Sequence, residues 1–215
     1  AYRLPIHQEW YKATTGHNAV LVDGKPQKEA GGELLAYSAT DSYAAVAAYA
    51  GPAFDSVTHH RLLLLAPTYL LVVDELRTTD GKEHTFDWLY HNKGQNAVCM
   101  LPITDARLLL VPPGYSYLKN MTAFKVGKEE PFEVKFTNNE MVTNLTMLGQ
   151  QGDEVFTATG PLASVVDRVP MVIVRRKGKI VHFISVIEPV ADQMQPDVSG
   201  LSIIPGSSLS ISIDC

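Results

Sequence analysis

The chain has 215 residues, 46% of them hydrophobic and 19% charged, which is enough apolar material to bury a full core. With 18 Lys and Arg against 23 Asp and Glu, the net charge of −5 argues against a polybasic nucleic-acid surface. No apolar run approaches the ~20 residues of a membrane span, and the longest, Leu62–Ala66, reads as a buried strand.

Short β-type runs dominate, punctuated by Gly, Pro, Asn and Asp about every ten residues. The first is Val20–Val22, stopped by the turn signal Asp23-Gly24. Leu34–Ser38 and Tyr43–Tyr49 follow. Tyr43–Ala50 is mostly alanine and has some helix propensity, but eight residues between Asp41-Ser42 and Gly51-Pro52 read as a strand. Val57–Ala66 and Tyr69–Leu76 form a hairpin across Pro67-Thr68, and Asp80-Gly81 turns the chain into Glu83–Tyr90. Further runs are Arg107–Val111, Thr122–Val126, Phe132–Phe136, Val142–Met147 and Val155–Ala158. Met171–Arg176 and Ile180–Ile187 pair across Lys177-Gly178-Lys179, and Leu201–Ile204 and Leu209–Ile213 close the chain. Many short strands without amphipathic helices between them predict an all-β fold, a large antiparallel sandwich. Pro112-Pro113-Gly114 is the strongest break and reads as a turn, so residues 1–215 are expected to form one domain.

Few residues carry a chemical signal. His17, where a loop enters a strand, could present one ring nitrogen to a metal. A lone histidine defines no metal site, and on composition the structural reading is the stronger one. His59 and His60 are adjacent, face opposite sides of a strand and cannot jointly chelate one ion. In Phe86–His91, alternation puts Phe86, Trp88 and Tyr90 on one face and Asp87, Leu89 and His91 on the other. That aromatic face reads as sandwich core, with a sugar platform as the alternative. Arg175-Arg176-Lys177-Gly178-Lys179 reads as a solvated hairpin tip. There is no GxSxG, P-loop or dinucleotide-binding glycine pattern. Asn120-Met121-Thr122 and Asn144-Leu145-Thr146 match glycosylation acceptors. Cys99 and Cys215 lack metal-binding spacing and allow at most one disulfide, with a free terminal thiol the equal alternative.

The first ninety residues carry a resemblance. Tyr2-Arg3-Leu4-Pro5-Ile6-His7-Gln8-Glu9-Trp10-Tyr11-Lys12 is followed by Thr15-Gly16-His17-Asn18, then by Val22-Asp23-Gly24-Lys25 and Gln27. Arg61-Leu62-Leu63-Leu64, Val72-Val73-Asp74-Glu75-Leu76 and Phe86-Asp87-Trp88 with His91 come next in order. This series resembles the heparinase II/III-like polysaccharide lyases, densely over residues 2–91 and weakly beyond, as at Val186-Ile187-Glu188-Pro189. The flavour is closer to alginate and oligoalginate lyases than to heparin enzymes.

The resemblance implies the sandwich of the supersandwich type that follows an N-terminal (α/α) toroid. It implies β-elimination on a uronic-acid polysaccharide, alginate or heparan-like, in the bacterial periplasm or outside the cell. It also implies a divalent ion, typically zinc, held by an upstream His and Asp together with His17, and a substrate cleft touched by Tyr2 and, more weakly, His7. The family's HxHxD and DPG stretches and the toroid with its catalytic residues would precede residue 1. The chain is therefore expected to be a fragment lacking the toroid and the first sandwich strands, inactive and metal-poor alone. Its expected partners are the acidic polysaccharide and its own toroid, with a homodimer allowed and neither nucleic acid nor membrane span expected. The alternative is a sandwich that only binds acidic glycan or serves as structural support.

Overall fold

The computed structural model describes residues 4–109, 111–139, 141–191, 194–205 and 209–215. Among the described residues, sixteen strands run in chain order. The first eight are β1 (Val20–Val22), β2 (Glu33–Ala39), β3 (Ala44–Tyr49), β4 (Val57–Leu65), β5 (Leu70–Thr78), β6 (His84–His91), β7 (Asn96–Cys99) and β8 (Ile103–Thr104). The rest are β9 (Lys119–Lys125), β10 (Pro131–Asn138), β11 (Met141–Leu148), β12 (Glu154–Pro161), β13 (Arg168–Gly178), β14 (Ile180–Ala191), β15 (Gly200–Ile204) and β16 (Ser210–Asp214). Their ladders are antiparallel. One sheet has the order β1-β6-β13-β12-β9-β8 and the other β2-β3-β4-β5-β14-β11-β10-β7, while β15 and β16 pair separately. The predicted all-β antiparallel sandwich is the fold.

Period-2 alternation explains how the layers meet. Phe86 and Trp88 of β6 join Leu76, Val134, Phe136, Leu145, Val172, Val174 and Phe183 in the core between the sheets. The opposite face of the six-stranded sheet carries Leu21, Leu89, Phe156, Met171 and Ile173, which pack under Ile6, Trp10 and Tyr115. Beyond the other sheet, Leu71, Val73, Ile184 and Val186 are covered by Val198 and Leu201, with Ile211 and Ile213 against them. Both large sheets are thus buried on two faces over much of their extent, which is why β13 reads as a near-continuous apolar run.

Tyr43–Ala50 is a strand over Ala44–Tyr49, as expected. Three expectations fail. The N-terminal stretch holds a wide helical turn, His7–Tyr11, and a 3₁₀ turn, Thr14–Gly16, where no helix was expected. Trp10 explains the first: the turn drives its ring into the core, where Nε1–H donates to the Pro161 carbonyl at 2.9 Å. Arg107–Val111 contains no strand among its described residues; the Leu109 carbonyl accepts a bond from Arg175 instead of a ladder N–H. Arg175 and Arg176 are not a solvated tip. Both are buried, Arg175 on Asp87 at 2.6 and 2.8 Å and Arg176 on Asp153. A guanidinium is buried only when its charge and donors are met, and these carboxylates meet them. Lys177 and Lys179 do remain exposed.

Candidate functional site

The stretch leading into β1 is tied down residue by residue. Thr15 donates its hydroxyl to the Glu9 carbonyl at 3.0 Å, and the Gln27 N–H donates to Thr14 Oγ1 at 2.8 Å. The His17 N–H donates to the Thr14 carbonyl at 3.1 Å, and the His17 carbonyl accepts from the Ala19 N–H at 3.0 Å. With its backbone fixed on both sides, His17 turns its imidazole to solvent. It lines an open depression of about 370 Å³ with Lys12, Thr14, Gln27, Lys28 and Glu29. Lys28 also pairs with Asp55 across an exposed surface.

Asn18 anchors the loop. Its Oδ1 accepts from the His91 N–H at 2.7 Å and from His91 Nδ1 at 3.1 Å, tying it to the end of β6. Its carbonyl accepts from Arg61 Nη1 of β4 at 2.9 Å, tying it to the other sheet. The same guanidinium holds Asp74 of β5, directly across the ladder, at 2.6 Å through Nε and 2.9 Å through Nη2. His59 Nε2 at 2.6 Å and Trp88 Nε1 at 2.9 Å also donate to Asp74. Asp74 is wholly buried. Burial alone pushes its carboxyl up, but the hydrogen bonds and charges of His59 and Arg61 outweigh that and hold it below the ordinary range. His91 packs its ring edge-on to Trp10 at 5.8 Å. Burial first, and the nearby His17 second, lower its pKa to about 4, so it is neutral at physiological pH.

The Val-Asp-Gly piece of the motif is structural. Asp23 and Gly24 adopt φ of 51° and 68°, closing the turn after β1. Asp23 accepts from the Thr85 N–H at 2.9 Å and from His84 Nδ1 at 2.5 Å. Of the other marked positions, His7 is half-buried in the helical turn and does not line the His17 depression, and Tyr2 lies outside the described residues. His59 is buried, whereas His60 is half-exposed on the opposite face and stacks on Tyr49. Phe86 and Trp88 are core, so they form no sugar platform. Asn144 is buried in β11, which keeps a glycan off it, while Asn120 is exposed. Cys99 and Cys215 are free thiols.

Among the described residues no three His, Cys, Asp or Glu side chains converge in a way that could hold a metal ion. The donor set that zinc requires is therefore not completed by these residues; His17 would supply a single donor. The residues that sequence reasoning missed are Asn18, Arg61 and Asp74 as one connected group. Each lay inside a quoted motif, but nothing local signals that they touch.

A family model described as "Heparinase II/III-like, C-terminal" matches residues 1–160. The chain belongs to that family. The solved structure of a heparan sulfate lyase mutant from Pedobacter heparinus superimposes with a TM-score of 0.65 at 14% identity, covering 95% of this chain and 30% of that one. A heparinase III structure with methylated lysines gives a TM-score of 0.69 at 14% identity, over 99% of this chain and 30% of that one. At this identity the likeness establishes the shared fold. This heparinase II/III-like chain spans about a third of the length of those lyases. No curated protein matches it significantly. Among the described residues no helix is long and apolar enough to cross a membrane.

Proposed function

We propose that this chain is the sandwich part of a polysaccharide lyase that cleaves a uronic-acid polymer by β-elimination, secreted or in the bacterial periplasm. The observation that carries the reading is the exposed imidazole of His17, held on a fixed loop in a depression also lined by Lys12 and Lys28, in a chain of this family. A base elsewhere in the enzyme removes the proton at C5, an acid protonates the departing glycosidic oxygen, and cations facing the uronate carboxylate favour the enolate-like transition state. Lys12 suits the last role, since Lys28 is engaged by Asp55. His17 suits either a hydrogen bond to the sugar or one place in a zinc site whose other ligands come from polypeptide outside the described residues. The wall opposite this depression would be the N-terminal (α/α) toroid. Tyr2 and His7, next to the same segment, are proposed to border that cleft.

The polymer is the finer question. Two of the similar structures carry the name heparan sulfate lyase, while the motif flavour leans toward alginate. The test is the full-length enzyme on heparan sulfate and on alginate, followed by ultraviolet absorbance of the unsaturated uronate product. Product on one of them, with His17→Ala lowering kcat/KM about tenfold or more (~1.4 kcal/mol) in folded protein, is the expected result. Binding of either polymer without product would point to a glycan-binding sandwich instead. Full activity of the His17→Ala enzyme would remove His17 from the site.

A further inference from the structure

The inter-sheet core contains a charge that a sandwich does not need. Asp74 and Arg61 sit across one rung of the β4–β5 ladder, with His59 and Trp88 completing the carboxylate's partners. Replacing a buried ion pair with well-packed apolar side chains is often neutral or stabilising, so stability alone gives no reason for this group. Apolar residues could not do one thing it does. Having satisfied Asp74 with Nε and Nη2, the Arg61 guanidinium still has Nη1, and this third nitrogen bonds the carbonyl of Asn18. The bond leaves the core and ends on the Asn18–Ala19 peptide unit, one residue past His17. The Asn18 side chain is meanwhile bonded to His91 of the other sheet. The buried network thus reaches the surface at the residue next to the exposed imidazole, which both sheets clamp from below.

We infer that Asp74, Arg61 and Asn18 are positioning residues, whose function is to hold the His17 backbone still so that its ring meets the glycan in one orientation. The inference rests on the glycan-facing reading of His17. Arg61 is required as arginine: the planar fork reaches Asp74 and Asn18 at once, whereas a lysine ammonium is a single point of charge on a flexible stem. Asp74 acts by fixing the guanidinium, and Trp88 and His59 act by fixing Asp74.

The experiment uses the full-length enzyme, toroid included, for ¹⁵N relaxation at His17 and for titration with a heparan sulfate oligosaccharide and an alginate oligosaccharide. In the wild type, the His17 amide is expected to show an order parameter near 0.85. In Arg61→Lys it should fall below about 0.6, with oligosaccharide affinity down about tenfold. Asn18→Ala, at an exposed position that leaves the core intact, should loosen the same amide and protects the test against failure of the first variant to fold. Arg176→Lys is the control. It disturbs an equally buried guanidinium whose bonds go to Asp153, Leu148 and His182 and to no residue of the loop. It should cost stability while leaving His17 rigid. A rigid His17 in both loop variants, or equal loosening in the control, would overturn the inference. Absence of binding by the wild type would strike the glycan reading and the orienting purpose with it, while the relaxation arm would still decide whether the tether exists.

Discussion

Asp23 and His84 illustrate how a motif residue can matter without touching substrate. The Asp23 carboxylate reaches from the turn after β1 to β6, accepting from the Thr85 N–H and from His84 Nδ1 at 2.5 Å, while His84 Nε2 lies 3.2 Å from Asp80. The hydrogen bond from His84 to Asp23 comes first among the causes that raise the His84 pKa above its ordinary 6.5, with burial opposing it. A raised folded-state pKa means that the charged pair stabilises fully below about pH 6.5 and that this contribution disappears as pH rises through the folded value. Urea denaturation should therefore show the wild type losing up to about 1 kcal/mol relative to His84→Asn between mildly acidic and mildly alkaline pH. A flat difference across that range would mean the pair contributes nothing. At the same scale His17 stood out in the sequence through the family resemblance, since composition alone favoured a structural histidine. What fixes it did not. Arg61 and Asn18 stand 43 residues apart in sequence, and no periodicity links them.

Among the elements, β6 was the most legible: strict alternation separated the face of Phe86 and Trp88, which is the inter-sheet core, from that of Leu89, which packs in a second core. Alternation works there because each face has its own partners, and a one-residue slip would exchange the two faces and carry Asp87 into the inter-sheet core. The same logic fails at the end of β13. Arg175 and Arg176 look like surface charge because their partners, Asp87 and Asp153, are 88 and 23 residues away. Removing the charge from such a pair leaves a carboxylate stranded in the core, so Arg175→Leu should cost about 3–5 kcal/mol in denaturant unfolding. Tyr115, which donates to Asp87 at 2.9 Å, should lose its protection from hydrogen exchange together with the nearby loop. The Arg107–Val111 stretch was misread for a related reason. Its composition favours a strand, but the long-range bond from Arg175 to Leu109 takes a carbonyl that a ladder would need. Strand β12 offers a packing test. A Cβ added at Gly160 would stand 2.5 Å from the Trp10 ring. Gly160→Ala should destabilise by about 2 kcal/mol and shift the Trp10 fluorescence to the red, as the ring is pushed from the core.

On the scale of the molecule, three apolar layers alternate with two sheets, and the outermost is the thinnest. The β15–β16 hairpin covers Leu71, Val73, Ile184 and Val186 and is held at its root by Glu188, whose carboxylate accepts the Asp197 N–H at 2.6 Å. Truncation before Met194 should uncover these side chains at a cost of about 2 kcal/mol for each one fully exposed, read as a lower Tm and new binding of a hydrophobic dye. An unchanged Tm would mean that the hairpin is loosely seated. The architecture of sheets was legible from spacing alone; which strand lies beside which, the order β2-β3-β4-β5-β14-β11-β10-β7 in particular, was not, since it depends on pairings distant in sequence.

The fastening of the His17 loop has a consequence of its own. Every bond in it, from the Glu9 carbonyl to the His91 ring, joins residues within one unbroken stretch, residues 9–91. Recombination that moved this stretch between related sandwiches would carry the shape of the loop with it as a unit, leaving the exposed side chains around it free to diverge toward a different sugar.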